Sequence, residues 1–260
     1  LKAVQELYEK KLVTYPRTDA RVLSTAVAKE IHKNIGGLQN FGPAAEYARE
    51  VLASGSYKTI AKTRYVNDKQ ITDHYAIVPT GQGLGALRSL SELNSKIYQV
   101  IVRRFLSIFY PPAIYQKYTV DIVTQNEHFF AGFKVLREQG YLKVAEVPGQ
   151  GRKKNTGAPD AGSDGNVLPA EKPGAAGDVI LDSSSPEFIE MLDKLKKGAV
   201  VSLDALNIKE GETSPPKRYT SGSMILAMEN AGQLIEDDEL RAQIKGSGIG
   251  TSATRAEILK

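Results

Sequence analysis

Residues 93–124, LNSKIYQVIVRRFLSIFYPPAIYQKYTVDIVT, change hydrophobic period partway along. Leu93, Ile97, Ile101, Phe105 and Phe109 recur every four residues, which marks one face of a helix. Pro111-Pro112 ends that helix, because proline has no N–H to continue the hydrogen-bond ladder. Beyond the prolines Tyr118, Val120 and Ile122 alternate with polar or small neighbours, the period of a strand. Gln125-Asn126-Glu127 reads as a turn and His128 to Arg137 as the returning strand, so a β-hairpin is predicted. A helical region therefore meets a β-hairpin here, and a mixed α+β fold with a largely helical count is predicted.

Upstream the pattern is helical. Val4, Leu7 and Tyr8 share one face, Val27 and Ile31 are four apart, and an Ala/Glu/Arg segment covers 44–53. Downstream, ten of the 29 residues from Gly149 to Gly177 are Gly or Pro and none is aromatic. Such a stretch buries too little surface to offset its ordering entropy, so a mobile loop is predicted. Ser185-Pro186 supplies an N-cap and a first-turn proline for a helix reaching Lys197, followed by a short strand at Val200–Leu203. A third region begins near Pro215-Pro216. It holds a helix around Ser223–Ala231, an acidic turn and a glycine-rich segment, and Thr254-Arg-Ala-Glu257 has the form of a capping box for a last helix.

The 260 residues are 41% hydrophobic and 25% charged, which excludes a disordered chain, a collagen-like fibre and a coiled coil. A net charge of +4 permits an anionic partner without demanding one. The lack of cysteine excludes disulfides, a zinc ribbon and thiol catalysis. No apolar stretch approaches the roughly 20 residues of a membrane span. LKAVQELYEKK has no basic region followed by an apolar one, so no signal peptide is predicted and the cytosol is the expected location. The chain starts within one helical pattern without Met and stops within another, which reads as a piece of a longer protein.

Three segments carry candidate chemistry. In Thr14-Tyr15-Pro16-Arg17-Thr18-Asp19 the tyrosine hydroxyl is a competent nucleophile once its proton is removed or its charge stabilised. Arg17 offers a fork for a phosphate, and Asp19 a carboxylate to orient an arginine or histidine. With 12 tyrosines in the chain, packing is the commoner use of such a residue. In Asp73-His74-Tyr75-Ala76-Ile77-Val78-Pro79-Thr80, a protonated His74 beside a phosphodiester would add charge and a donor. Lys245 to Arg255, KGSGIGTSATR, combines glycines with a helix start, where free N–H groups can bind phosphate. Its spacing is that of neither a P-loop nor a dinucleotide fingerprint. Gly81-Gln-Gly83-Leu-Gly85 carries less weight still. The run Glu236-Asp237-Asp238-Glu239 cannot aim four carboxylates at one ion from a regular helix, and no metal site is assigned to this chain.

Taken together, LYEKKLVTYPRTDAR, DHYAIVPT, IYQVIVRRFLSIFYPPA, YTSGSMILAMENAG and IKGSGIGTSATRAEIL resemble the type IA DNA topoisomerases, the bacterial topoisomerase III branch most closely. The resemblance implies that Tyr15 cuts one DNA strand through a 5′-phosphotyrosine. Arg17 would stabilise the scissile phosphate, Asp19 support a neighbouring side chain and His74 assist near the phosphate. Lys245, Gly248, Gly250, Thr254 and Arg255 would lie along single-stranded DNA. It further implies a toroid in three parts: a mostly helical domain at 1–107 bearing the tyrosine, a β-rich arch at 108–214, and part of a helical DNA-binding domain at 215–260. Strand passage in this family needs no ATP. Its Mg2+ is bound by a Toprim domain that this sequence does not match, so an inactive fragment is expected, with DNA and the missing domains as partners and the bacterial nucleoid as location. Ala20 and Ser252 depart from the family's usual serine and proline. A tyrosine recombinase is disfavoured because its nucleophile follows its arginines and histidine. A non-catalytic single-strand-binding module is the alternative of a different class.

Overall fold

The computed structural model describes residues 1–145, 179–181, 186–202, 218–234, 248–251 and 253–259, together with the single positions 205, 210, 212 and 215. The Gly/Pro-rich stretch 149–177, Ser185, Lys245 and the acidic run 236–239 lie outside the described residues.

Four helices build the first half: α1 (Lys2–Glu9), α2 (Thr25–Leu38), α3 (Ala45–Ser54) and α4 (Glu92–Ser107). Side-chain caps start two of them. The Ser24 hydroxyl accepts from the Val27 N–H, and Ser91 does the same for Asn94, each satisfying a donor that a helix start leaves open. Gly55, in the left-handed region at φ 67°, closes α3. Between α3 and α4 the chain runs through short 3-10 turns and extended segments.

One core cluster joins these helices. It contains Leu7 from α1, Ile31, Ile35 and Leu38 from α2, Ala48 and Val51 from α3, and Tyr98, Val102, Phe105 and Leu106 from α4, with Phe109 and Val144. The four-residue spacing along α4 marks the edge of its buried face rather than the centre. Each step of four advances the position by about 40° on a helix with 3.6 residues per turn, so Leu93 sits about 120° from Phe105. Leu93 is 63% exposed, while Asn94, Tyr98 and Val102 are buried.

The predicted hairpin is present as β1 (Ile114–Thr124) and β2 (Glu127–Glu138). Its turn is two residues long. Gln125 and Asn126 both have positive φ, 48° and 72°, as the tight turns matching strand twist require, so Glu127 opens β2 instead of belonging to the turn. A three-residue strand β3 (Val179–Leu181) pairs parallel with β2. Helix α5 (Leu142–Ala145) follows the hairpin and returns Val144 to the helical core.

Helix α6 (Pro186–Lys194) packs on one face of the sheet. Phe188 meets Phe133 edge-on at 5.3 Å, and Asp193 pairs with Arg137 at 3.1 Å and accepts from the Tyr118 hydroxyl. Pro186 is its first residue, as expected, but the helix ends at Lys194 and not at Lys197. A turn there, with Ala199 N–H donating to Lys196 and Gly198 at φ 87°, stops the ladder. Residues 200–202 have no strand partner among the described residues, contrary to the short strand predicted there; Val200 is 98% exposed, so no packing favours one.

Helix α7 spans Ser221–Glu229, two residues earlier than the sequence pattern suggests, because Thr220 and Ser223 form a reciprocal capping box. The last helix, α8 (Arg255–Ile258), lacks the predicted box. Thr254 makes no side-chain cap; its hydroxyl accepts instead from the Thr251 N–H at 2.8 Å, within the preceding turn. Among the described residues no helix is long and apolar enough to cross a membrane.

Candidate active site

The tyrosine segment leaves α1 through a tight turn. Lys11 adopts φ 61°, and the N–H groups of Lys11 and Leu12 donate to the carbonyls of Tyr8 and Leu7. Leu12 and Val13 are then buried, which anchors the chain just before Tyr15.

Residues 74–80 run alongside as an extended strap. The Thr14 N–H donates to Val78 O at 3.0 Å, the Val78 N–H returns to the Thr14 hydroxyl at 3.0 Å, and the Thr80 N–H donates to Leu12 O at 3.0 Å. Further along, the Ala76 N–H donates to Val22 O at 2.9 Å. The Thr80 hydroxyl also donates to Lys11 O. The strap is thus sewn to the tyrosine loop on both sides of Tyr15. Its far end is fixed by a backbone approach: a Cβ on Gly37 would lie 2.0 Å from Gly81 O, and Gly81 itself sits at φ 74°. Gly37 and Gly81 thus serve close packing.

This arrangement brings His74 to Tyr15. The ring centroids are 4.5 Å apart with planes at 48°, and the Thr18 hydroxyl donates to His74 O at 2.7 Å while accepting from the Ala20 N–H. Tyr15 is half-buried, whereas Arg17, Asp19 and His74 are exposed around it and Pro16 is buried. Among the described residues no side chain hydrogen-bonds or ion-pairs with Arg17 or Asp19, and both face solvent. Sequence reasoning overlooked Tyr8, whose ring meets Tyr15 edge-on at 5.4 Å, and the hydroxyls of Thr14 and Thr18 that fasten the strap. The nearness of Tyr8 to Tyr15 along the chain was the available signal.

The glycine-rich segment forms a second cluster. The Ile249 N–H donates to Met228 O at 2.8 Å, and a Cβ on Gly248 would fall 2.6 Å from that same carbonyl. Gly250 turns at φ 68°. Arg255 is buried beneath the turn and donates to Ile249 O and Gly250 O, while Thr254 is exposed. Arg21 connects the two clusters: it follows the tyrosine loop and pairs with Glu229 of α7 at 3.3 Å.

Over residues 1–260 the chain matches the family model described as DNA topoisomerase. It belongs to that family. DNA topoisomerase 3 of Bacillus licheniformis is 32% identical to this topoisomerase chain over 264 residues, covering 100% of it and 31% of the relative. The namesake proteins of Bacillus subtilis and Shouchella clausii are 31% and 30% identical, again over 100% of the chain and over 32% and 31% of their own lengths. The chain therefore spans about a third of the length of these curated relatives.

Proposed function

We propose that this chain is the part of a type IA DNA topoisomerase that carries the strand-cutting tyrosine. The observation supporting this reading is the packing of His74 on Tyr15 at 4.5 Å, with Arg17 exposed two residues along the chain. The Tyr15 oxygen attacks the scissile phosphorus and gives up its proton; the O3′–P bond breaks, leaving a 5′-phosphotyrosine and a 3′-hydroxyl. Because one phosphoester replaces another, the reverse attack by the 3′-hydroxyl reseals the strand without ATP. Arg17 steadies the charge that builds on the phosphate oxygens. His74 places a donor at the same edge, and Asp19 orients a neighbouring cation. The turn at Gly248–Gly250, with Thr254 and Lys245, guides single-stranded DNA, and Arg255 supports that turn.

In the same reading residues 1–107 are the tyrosine domain, 108–214 the arch and 215–260 part of the DNA-binding domain, working on DNA in the bacterial cytoplasm. Relaxation and decatenation belong to the longer protein. Mg2+ finds no donor set here: among the described residues no three acidic or imidazole side chains converge.

Tyr15→Phe in the full-length protein tests the reading. A 3′-labelled single-stranded oligonucleotide, quenched with denaturant, is expected to leave no label on the Phe variant while its binding persists. Labelled Phe variant would sink the nucleophile assignment.

A further inference from the structure

Among the described residues two aromatic rings bear on Tyr15, and only His74 has a place in the chemistry proposed above. The other is Tyr8, whose ring stands at 82° to that of Tyr15 with centroids 5.4 Å apart. Edge-to-face contact of this kind is directional, because the positive ring edge meets the negative face.

Tyr8 is in turn held from behind. Its helix α1 is anchored by Leu7, which is fully buried, and by Glu6, whose carboxylate accepts from the Asn94 amide of α4 at 2.6 Å. Asn94 is itself buried. The turn between the two tyrosines is closed by hydrogen bonds from Lys10, Lys11 and Leu12 back to Glu6, Tyr8 and Leu7. The backbone that carries Tyr8 is therefore fixed to the core of α4.

We infer that Tyr8 is a positioning residue for the Tyr15 nucleophile: its ring, carried on α1, fixes the direction in which the Tyr15 oxygen leaves the surface. The inference rests on Tyr15 being that nucleophile. In-line attack on phosphorus depends on this direction, and a displacement of about 1 Å can cost around a hundredfold in rate. The ring does this work, and the Tyr8 hydroxyl is not needed for it.

The test is single-turnover formation of the covalent adduct by the full-length protein at saturating oligonucleotide, with affinity measured separately. Tyr8→Ala and Tyr8→Leu are expected to slow adduct formation by about tenfold or more. Oligonucleotide affinity should stay within about twofold, the margin expected for a group that does not touch the DNA. Tyr8→Phe should restore the wild-type rate. Tyr8→Leu keeps apolar bulk on a residue 39% exposed, so its melting temperature should stay near wild type and separates misaiming from misfolding. Wild-type rates in both truncated variants would overturn the proposal, as would a Phe variant as slow as Ala, or a loss confined to affinity. Tyr15→Phe run in parallel keeps the two readings apart: adduct from that variant refutes the nucleophile, whereas its absence alongside a fast Tyr8→Ala refutes the positioning alone.

Discussion

The guanidinium of Arg255 donates to the carbonyls of Ile249 and Gly250 at 3.1 and 3.2 Å, from a residue only 7% exposed. A charge placed this way offsets its desolvation by satisfying two carbonyls that the glycine turn leaves open. Its reach to a phosphate is correspondingly short. Neutralising one phosphate of single-stranded DNA contributes about 0.7 to the slope of log affinity against log salt. Arg255→Ala in the full-length protein is therefore expected to weaken oligonucleotide binding while leaving that slope unchanged, because the turn, and not a phosphate contact, is lost. Fluorescence anisotropy across a salt series measures both quantities. A slope reduced by one phosphate's worth would place Arg255 on the DNA backbone.

Where α3, the end of α4 and α5 come together, Glu50 accepts from Lys143 at 2.7 Å and from the Tyr110 hydroxyl at 2.5 Å. The Lys143 bond, and then the Tyr110 bond, hold the Glu50 carboxyl below its ordinary value of 4.5. Burial and Glu50 itself push the Tyr110 phenol well above its usual range. A carboxyl whose value is depressed by folding binds fewer protons in the native state. Its stabilising contribution is present above pH 4.5 and fades as the pH falls through the lowered native value. Glu50→Gln should thus reduce the melting temperature near neutrality and flatten its decline on acidification. A variant whose acid limb matches wild type would remove Glu50 from that role. Elements of this kind were only partly legible in the sequence. The hairpin was, because alternation from Tyr118 to Ile122 and a turn at Gln125-Asn126 are local signals. The buried face of α4 was shifted by one residue, since the buried row Asn94, Tyr98, Val102 and Leu106 has the same spacing but begins with a polar residue, whereas the row from Leu93 is wholly apolar. The capping box at Thr254 was misread because the Thr251 N–H competes for the same hydroxyl. The individual motifs around Tyr15 and His74 could be read, but their meeting could not: it depends on the Thr14–Val78 and Thr80–Leu12 hydrogen bonds between distant parts of the chain.

At the scale of the whole molecule, the core that supports Tyr15 is drawn from residues between Leu7 and Phe109, with Val144 added from α5. The glycine-turn cluster reaches it by the Arg21–Glu229 pair, whose side chains are 47% and 29% exposed. Exposed pairs of this sort contribute about 0–1 kcal/mol. On the function proposed above, a net charge of +4 is small for a polyanionic partner, and a few exposed cations such as Arg17 would supply the attraction. Each phosphate they neutralise adds about 0.7 to the salt slope, so a slope of roughly 1.5 to 3 in magnitude corresponds to a handful of contacts. The purified 260-residue chain is accordingly expected to bind single-stranded oligonucleotides weakly and to release them as salt rises from about 50 to 200 mM, the range over which such contacts lose most of their affinity. Given supercoiled plasmid and Mg2+, the same chain is expected to leave the linking number unchanged, since it spans about a third of its relatives' length. Gel electrophoresis of the plasmid decides this. Topoisomers appearing with the chain alone, and vanishing in Tyr15→Phe, would show that these residues suffice for strand passage and that the remaining two-thirds of such proteins serve something else.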